Sequence, residues 1–157
     1  MGCRVNFGEE MHTVPFVERH STITYLVEDD RIYGPVKQLL GRDFIWSGSE
    51  GNRGFHPDRE SHHWHPDRWG KQELGFSRIK IMIYLDQIRK ESGALRVIPG
   101  SHRASLHVDL KSFVRCHDKR TPTFFVMDGS EIPCYIVETD LGDVVLFNHC
   151  LYHSVYR

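Results

Sequence analysis

The hydrophobic and polar positions follow a helical period in the first 41 residues and strand-like patterns after them. Between Asp29 and Gly41, apolar residues recur at the spacing of one helix face, at Ile32, Val36, Leu39 and Leu40. An aspartate can cap the start of such a helix and a glycine can end it. A shorter helix is predicted for residues 21–28. The part of the chain over residues 1–41 is therefore expected to be mostly helical.

From residue 42 onward, short apolar runs alternate with polar turns that contain glycine, proline and charged residues. The predicted strands cover residues 43–48, 63–67, 79–85, 95–98, 124–127, 134–138, 144–147 and 151–156. Many short strands with polar turns are typical of a β-sandwich or barrel. We therefore predict a single domain over residues 1–157, with a β-barrel core over residues 42–157.

Charge and composition narrow the possible partners. The chain has 157 residues, of which 20 are basic and 21 acidic, so its charge favours neither nucleic acid nor an anionic membrane as a partner. No apolar run is long enough to cross a bilayer, and the N-terminus lacks the apolar stretch of a signal peptide, so a cytoplasmic location is expected. The four cysteines are widely spaced and form no CxxC, which argues against a disulfide framework or a thiolate zinc site.

Histidine is the residue type that stands out, with 11 copies, and two of its positions suggest a metal site. His65 and Asp67 stand two residues apart in one predicted strand, so their side chains would point to the same face. A histidine from a distant strand would complete two imidazoles and one carboxylate, the ligand set that leaves open positions on a non-haem Fe(II). His153 is the candidate, and His149, four residues earlier, competes with it.

His56 and Asp58 repeat the same pattern nine residues before His65 and Asp67. The earlier pair lies in a run rich in glycine, proline and arginine, which is typical of a solvated turn. The later pair is flanked by two tryptophans, which favours a packed site. We therefore expect only the later pair to bind metal.

Three segments of the chain match one protein family in order and spacing. His62–Asp67 reads HHWHPD, Ser92–His102 reads SGALRVIPGSH, and Gly142–Ser154 contains GDVVLF followed by LYHS. They resemble the WHxD, GALxVIPGSH, GDVVLF and distal-histidine segments of the phytanoyl-CoA dioxygenase family of Fe(II)/2-oxoglutarate-dependent oxygenases. A single triplet would be weak evidence, whereas three segments in register are strong evidence.

The resemblance implies a fold that is mainly β with flanking helices, namely a double-stranded β-helix, which is a jelly-roll or cupin-like barrel. It implies that His65, Asp67 and His153 bind iron as Fe(2+), because His153 has the family's spacing from Phe147 and His149 does not. With 2-oxoglutarate and O2 as co-substrates, such an enzyme hydroxylates an unactivated C–H bond of a small organic or acyl substrate and releases succinate and CO2. The presence of Asp67 favours hydroxylation, since related halogenases lack this carboxylate.

The residue that would bind 2-oxoglutarate is harder to assign. The resemblance implies an arginine on the strand after the distal histidine, where its planar fork can bind the distal carboxylate. Arg157 stands four residues after His153 and does not fit that spacing, so the arginine is expected beyond Arg157. Lys80 is another candidate, although lysines on strands usually face solvent. We therefore expect a fragment that lacks both ends of the family domain, including the C-terminal strand of the barrel.

Three other interpretations remain open. A degenerate or truncated metal-binding β-barrel without turnover would keep His65, Asp67 and His153. A zinc hydrolase can also use two histidines and a carboxylate, but the usual HExxH helix is absent. The His-Pro-Asp tripeptide occurs in J-domain chaperone partners, where it belongs to a helical hairpin rather than to strands.

A small-molecule substrate is expected, with its entrance shaped by the loops at residues 46–59 and 108–129. No residue indicates the identity of the substrate or the oligomeric state.

Overall fold

The computed structural model of the chain describes residues 3–7, 10–19, 21–53, 64–68, 77–117, 123–124, 127–128 and 134–155. It consists of two compact units, residues 1–60 and residues 61–157. Within the described ranges, no helix combines the length and the apolar character that crossing a membrane requires.

The first unit contains an antiparallel sheet and two α-helices. The strands, in the spatial order β1–β2–β3, are β1 (Cys3–Phe7), β2 (Glu10–Val14) and β3 (Gly51–Arg53). A short 3₁₀ helix at Val17–Arg19 precedes α1 (Ser21–Glu28) and α2 (Asp30–Leu40). The sequence predicts both α-helices, but it does not predict the β1–β2 hairpin.

The prediction of a strand over residues 43–48 is wrong, since this segment has no regular secondary structure. Of its apolar residues, Phe44 packs its ring against the Tyr33 ring of α2 at a centroid distance of 5.5 Å, while Ile45 and Trp46 are exposed. The segment is followed by Ser49, whose hydroxyl accepts hydrogen bonds from the backbone N–H groups of Phe16 and Val17. Packing on a helix therefore replaces strand pairing here.

Helix α2 begins at an aspartate cap. The Asp29 carboxylate accepts a hydrogen bond of 2.9 Å from the backbone N–H of Arg31, and the Arg31 guanidinium donates to both of its oxygens. These hydrogen bonds lower the pKa of Asp29 from 3.8 to about 2. Ile32 and Val36, one helical turn apart, are the buried residues of the helix. The sequence predicts this start and the buried positions Ile32 and Val36, whereas Leu39, which the prediction assigns to the same face, is exposed.

We expect Asp29→Ala to lower the melting temperature of the protein by a few degrees at pH 7, because the first turn of α2 loses its cap. Asp29→Asn is the matched control, since its amide oxygen can still cap the helix. A carboxylate whose pKa is lowered by folding contributes stability above its unfolded pKa, and this contribution is lost as the pH falls from about 4 towards 2. Thermal unfolding of the three proteins across this pH range measures the effect. If the melting temperatures of Asp29→Ala and the wild type differed by the same amount at every pH, the Asp29 carboxylate would not be the stabilising cap.

The second unit contains paired strands and one longer helix. Strand β4 (Ile79–Ile83) pairs antiparallel with β9 (Val144–Asn148), while β5 (Leu95–Val97) lies between β8 (Tyr135–Val137) and β10 (His153–Val155). Strands β6 (Thr123–Phe124) and β7 (Met127–Asp128) form a hairpin. The sequence predicts the strand regions of β4, β5, β8, β9 and β10, and it locates the hairpin region as one strand at 124–127.

Helix α3 (Ala104–His117) occupies much of a region that the sequence analysis treats as a loop over residues 108–129. His107 and Leu110 are buried and stand three residues apart, as expected of one helix face. Because one of these buried positions is a histidine rather than an apolar residue, the helical repeat of apolar residues is not evident in the sequence. The loop assignment is therefore wrong for residues 108–117.

The β8–β5–β10 sheet is covered on both faces. Leu95 packs with Phe147 and Leu151 in one cluster, which also contacts Val97 and Val137. Trp64, Ile98, Leu110 and Tyr152 form a second cluster, with Leu110 contributed by α3. Because successive residues of a strand face opposite sides, a residue of β5 or β10 belongs to one core or the other. The sheet thus separates two sides. The site described below lies on the side of the Leu95 cluster, and α3 lies on the other side.

Gly93 allows the close approach of β10 to the start of β5. Its φ angle is 94°, in the left-handed region that side chains disfavour, and a Cβ atom there would lie 3.3 Å from Val155 Cγ1. The glycine ends the 3₁₀ helix at Lys90–Ser92 and directs the chain into β5.

Candidate metal centre

His65 and His153 lie side by side on neighbouring antiparallel backbone segments. The His65 N–H donates to the His153 carbonyl at 3.1 Å, and the His153 N–H donates to the His65 carbonyl at 3.0 Å. This isolated bridge places the two imidazole centroids 4.6 Å apart. Residues far apart in the sequence are therefore held together by the backbone. The bridge also places the His-Pro-Asp tripeptide beside a strand, which does not match the helical hairpin of a J-domain.

Asp67 joins the two histidines because the turn after His65 is tied to the segment before β10. The backbone N–H groups of Asp67 and Arg68 both donate to the His149 carbonyl, at 3.0 and 3.3 Å. The Asp67 carboxylate Oδ1 lies 3.7 Å from His153 Nε2. One donor atom from each of His65, Asp67 and His153 lies within 4.8 Å of the others.

His153 is prepared to act as a ligand through Nε2. Its Nδ1 lies 2.9 Å from the Leu151 carbonyl, which can only accept a hydrogen bond, so Nδ1 carries the proton and the Nε2 lone pair faces Asp67. Burial lowers the pKa of His153, although the Leu151 hydrogen bond and the Asp67 charge act in the opposite direction. The lowered pKa favours the neutral imidazole, which is the form that binds metals.

An apolar wall limits the access of water to His153. The residue is 6% exposed, and the Phe147 ring packs against its imidazole at a centroid distance of 5.1 Å. Phe147 belongs to the cluster with Leu95 and Leu151, on the same side of the sheet as the two histidines. One side of the His153 ring is thus covered by hydrocarbon, which strengthens electrostatic interactions at this ligand.

Lys80 points into this site rather than to solvent. Its ammonium lies 3.3 Å from Asp67 Oδ1 and 3.2 Å from Oδ2. In the antiparallel register of β4 and β9, Lys80 stands opposite Phe147, so both side chains project from the same face. The general tendency of strand lysines to face solvent does not hold here.

His149, the competing candidate, contributes mainly through its backbone. Its carbonyl receives the two N–H groups of the Asp67 turn, and its own N–H donates to the Arg78 carbonyl at 3.1 Å. Burial lowers the pKa of its half-buried imidazole, and the Asp67 charge partly offsets this effect. Among the described residues, the group of possible metal donors contains His153 and not His149.

Two buried polar residues, Arg96 and His107, are not among the residues that the sequence marks as functional. The Arg96 guanidinium stacks on the Trp64 indole at 4.7 Å and donates to the Ser154 hydroxyl at 3.3 Å. His107 Nδ1 hydrogen-bonds the Cys150 carbonyl at 3.0 Å and so links α3 to the segment before His153. Their only sequence signal is a polar residue inside an otherwise apolar pattern.

Several candidates cannot be placed. His56, Asp58, His62, His63 and Arg157 lie outside the described residues. His102 is exposed in the turn that follows Pro99 and Gly100.

Comparison with known proteins supplies the family. The family model of phytanoyl-CoA dioxygenase (PhyH) matches residues 19–155. The dioxygenase lolE1 of Epichloe uncinata is 26% identical over 149 residues, which cover 91% of this chain and 52% of that protein. The chain therefore spans about half the length of the curated relative that it matches.

The fold is shared with HygX from Streptomyces hygroscopicus. Its crystal structure with nickel and 2-oxoglutarate bound superposes with a TM-score of 0.75 at 21% identity, over 97% of this chain and 65% of that chain. The apo form gives a TM-score of 0.69 at 20% identity, over 93% of this chain and 66% of that chain. This likeness confirms the predicted fold class, a mainly β double-stranded β-helix of the cupin type with flanking helices. The match of the family model over residues 19–155, which is most of the chain, shows that the chain belongs to the phytanoyl-CoA dioxygenase family.

Proposed function

We propose that this chain carries the metal site of a non-haem Fe(II)- and 2-oxoglutarate-dependent dioxygenase that hydroxylates an unactivated C–H bond of a small organic or acyl substrate, with release of succinate and CO2. The observation that carries the proposal is the convergence of His65, Asp67 and His153 on one point, with their donor atoms within 4.8 Å. HygX, which shares the fold, binds nickel and 2-oxoglutarate in its crystal structure, and this supports binding of a metal ion together with 2-oxoglutarate here.

The donor set fits Fe(II). His65, Asp67 and His153 would hold the ion through two imidazoles and one carboxylate, a ligand set that in non-haem Fe(II) enzymes leaves positions open for a 2-oxo acid and for O2. Bound there, the iron would supply the oxidative chemistry, namely decarboxylation of the oxo acid and oxidation of the C–H bond.

The residues of the chain would bind and orient the reactants. The Leu151 carbonyl keeps the proton on Nδ1 of His153, so Nε2 is available, and the His149 carbonyl holds the turn that presents Asp67. Phe147 and Leu151 would keep water from the reacting groups, which limits side reactions. Substrate identity would depend on the loops, which carry specificity in such folds.

The test is binding and turnover of the purified chain. We expect anaerobic Fe(II) protein to develop a visible charge-transfer band when 2-oxoglutarate is added, and to form succinate when O2 is admitted. Asp67→Ala should weaken metal binding by more than about 100-fold, because a charged ligand is lost. Asp86→Ala, which removes an exposed carboxylate of the same unit, is the matched control and should bind metal as the wild type does.

Other outcomes would favour the competing functions. Metal binding without the band and without succinate would support a metal-binding β-barrel that does not turn over. Hydrolytic activity that needs zinc and is indifferent to O2 would support a zinc hydrolase, and either result would overturn the proposal.

A further inference from the structure

Two carbonyls of one turn orient two of the proposed metal ligands. The turn, residues 149–151, joins β9 to β10. The His149 carbonyl accepts the backbone N–H of Asp67 at 3.0 Å, and the Leu151 carbonyl lies 2.9 Å from Nδ1 of His153. The directions of these two carbonyls therefore determine where Asp67 lies and which nitrogen of His153 faces it.

The carbonyl between these two accepts a hydrogen bond from helix α3. It belongs to Cys150 and lies 3.0 Å from Nδ1 of His107. A carbonyl can only accept a hydrogen bond, so Nδ1 of His107 carries the proton and donates it. Because each peptide group is planar, the Cys150 carbonyl cannot turn without changing the backbone dihedral angles that also direct the flanking peptide groups. The contact with His107 thus constrains the carbonyls of residues 149 and 151.

The burial of His107 makes this contact informative. The residue is 0% exposed, and an apolar side chain would fill its place without the cost of removing an imidazole from water. Leu110, three residues later on the same helix face, is such an apolar side chain. The hydrogen bond to Cys150 offsets the cost for His107 and gives α3 a directional contact with the turn that leucine cannot make.

His107 and the imidazole of His153 lie on opposite faces of the sheet. The His107 ring packs against Tyr152 at a centroid distance of 5.2 Å. Tyr152 and His153 are successive residues of an extended segment, so their side chains face opposite sides. His107 is therefore placed to act on the backbone of the turn and not on a bound metal or substrate.

We propose that His107 is a positioning residue of the metal centre, which holds the turn at residues 149–151 in the conformation that orients Asp67 and His153. The inference rests on the proposed function, since it takes Asp67 and His153 as metal ligands. Without the hydrogen bond from His107, the two carbonyls that orient these ligands are free to rotate. The loss then affects metal affinity more than it affects folding.

The first experiment measures metal affinity, with Co(II) as the probe. His107→Leu fills the space but cannot donate, whereas His107→Asn places an amide N–H near the position of Nδ1 and restores the donor. We expect His107→Leu to weaken Co(II) binding by about tenfold or more and His107→Asn to stay within about threefold of the wild type, since residues that orient metal ligands typically contribute about 10–100-fold to affinity. Calorimetry gives the affinity, and the visible absorption bands of bound Co(II) report the ligand geometry.

Leu110→Ala is the matched control, because it weakens the packing of α3 and leaves the donor of His107 in place. It should lower the melting temperature and keep Co(II) binding within about threefold of the wild type. Equal loss of Co(II) binding in Leu110→Ala and His107→Leu would assign the effect to helix packing and overturn the role of His107. Unchanged binding in His107→Leu, or no recovery in a folded His107→Asn, would overturn it as well.

A second readout needs no metal. At about pH 8, where ordinary histidines are neutral, NMR of the imidazole nitrogens should show the proton of His153 on Nδ1 in the metal-free wild type. We expect His107→Leu to add a population with the proton on Nε2, because Asp67 Oδ1, 3.7 Å from Nε2, becomes the alternative acceptor. An unchanged tautomer in this variant would contradict the inference. Absence of Co(II) binding in the wild type would instead overturn the proposed function, while the tautomer would still decide whether His107 holds the turn.

Discussion

Replacing His153 with alanine is expected to weaken Fe(II), Co(II) or Ni(II) binding by more than about 100-fold, whereas replacing His149 is expected to change it by less than about threefold. The structure gives the reason for this difference. His153 presents Nε2 to the Asp67 carboxylate, while the contribution of His149 to the site runs through its backbone carbonyl, which alanine retains. Calorimetric titration of the metal into each purified variant measures both effects.

A stability effect has to be separated from the loss of a ligand. His153 is buried, so alanine leaves a cavity, and a second variant, His153→Leu, fills the space without offering a lone pair. Both variants should lose metal binding while keeping the circular dichroism of the wild type. Strong metal binding in His153→Leu, or its loss in His149→Ala, would contradict the assignment and favour His149 as the distal ligand.

The sequence predicts the donors of this site better than their surroundings. The spacing of His65 and Asp67 picks out the pair, and the family resemblance supplies His153. The strand predicted over residues 63–67 is wrong for the described residues 64–68, because only His65 forms a bridge and Asp67 lies in the bend that follows it. The contacts of Lys80 are not predictable in the same way, because every residue of β4 is partly buried and a lysine between isoleucines can face either side. Only the register with β9, a pairing between distant parts of the chain, decides the side.

The same limit explains the errors in the fold. Strand formation depends on a partner as well as on β-forming residues, and the segment 43–48 has the residues but packs Phe44 on Tyr33. Strands β1 and β2 have mixed polarity, and their pairing does not follow from either strand alone. The bounds and the cap of helix α2 are predicted correctly because these signals are local, while the exposure of Leu39 depends on what packs against the helix. Local signals are readable from the sequence, whereas long-range pairing is not.

Replacing Trp64 with alanine is expected to lower the free energy of unfolding of the second unit by about 3–5 kcal/mol, because a large buried side chain is removed from a packed cluster. Trp64 is 8% exposed and packs with Ile98, Leu110 and Tyr152 on the α3 side of the sheet. The Arg96 guanidinium stacks on its indole and would lose this favourable partner as well. Urea unfolding followed by circular dichroism measures the change.

Two variants separate the role of the ring from that of its nitrogen. Trp64 Nε1 is buried and has no hydrogen-bond acceptor among the described residues, so Trp64→Phe removes an unsatisfied donor while keeping an aromatic ring under Arg96. We expect this variant to cost less than about 1.5 kcal/mol. Leu141→Ala, at a residue of the same unit that is 72% exposed, should change the stability by less than about 0.5 kcal/mol.

Trp64 also links the stability of the second unit to the metal site. It directly precedes His65, and successive residues of an extended segment face opposite sides, so the indole packs behind the backbone that presents the imidazole. Trp64→Phe should therefore keep metal binding, since the His65 bridge to His153 remains supported. If Trp64→Ala were as stable as the wild type, the segment around His65 would not be packed as described, and the support inferred for the metal ligands would be wrong.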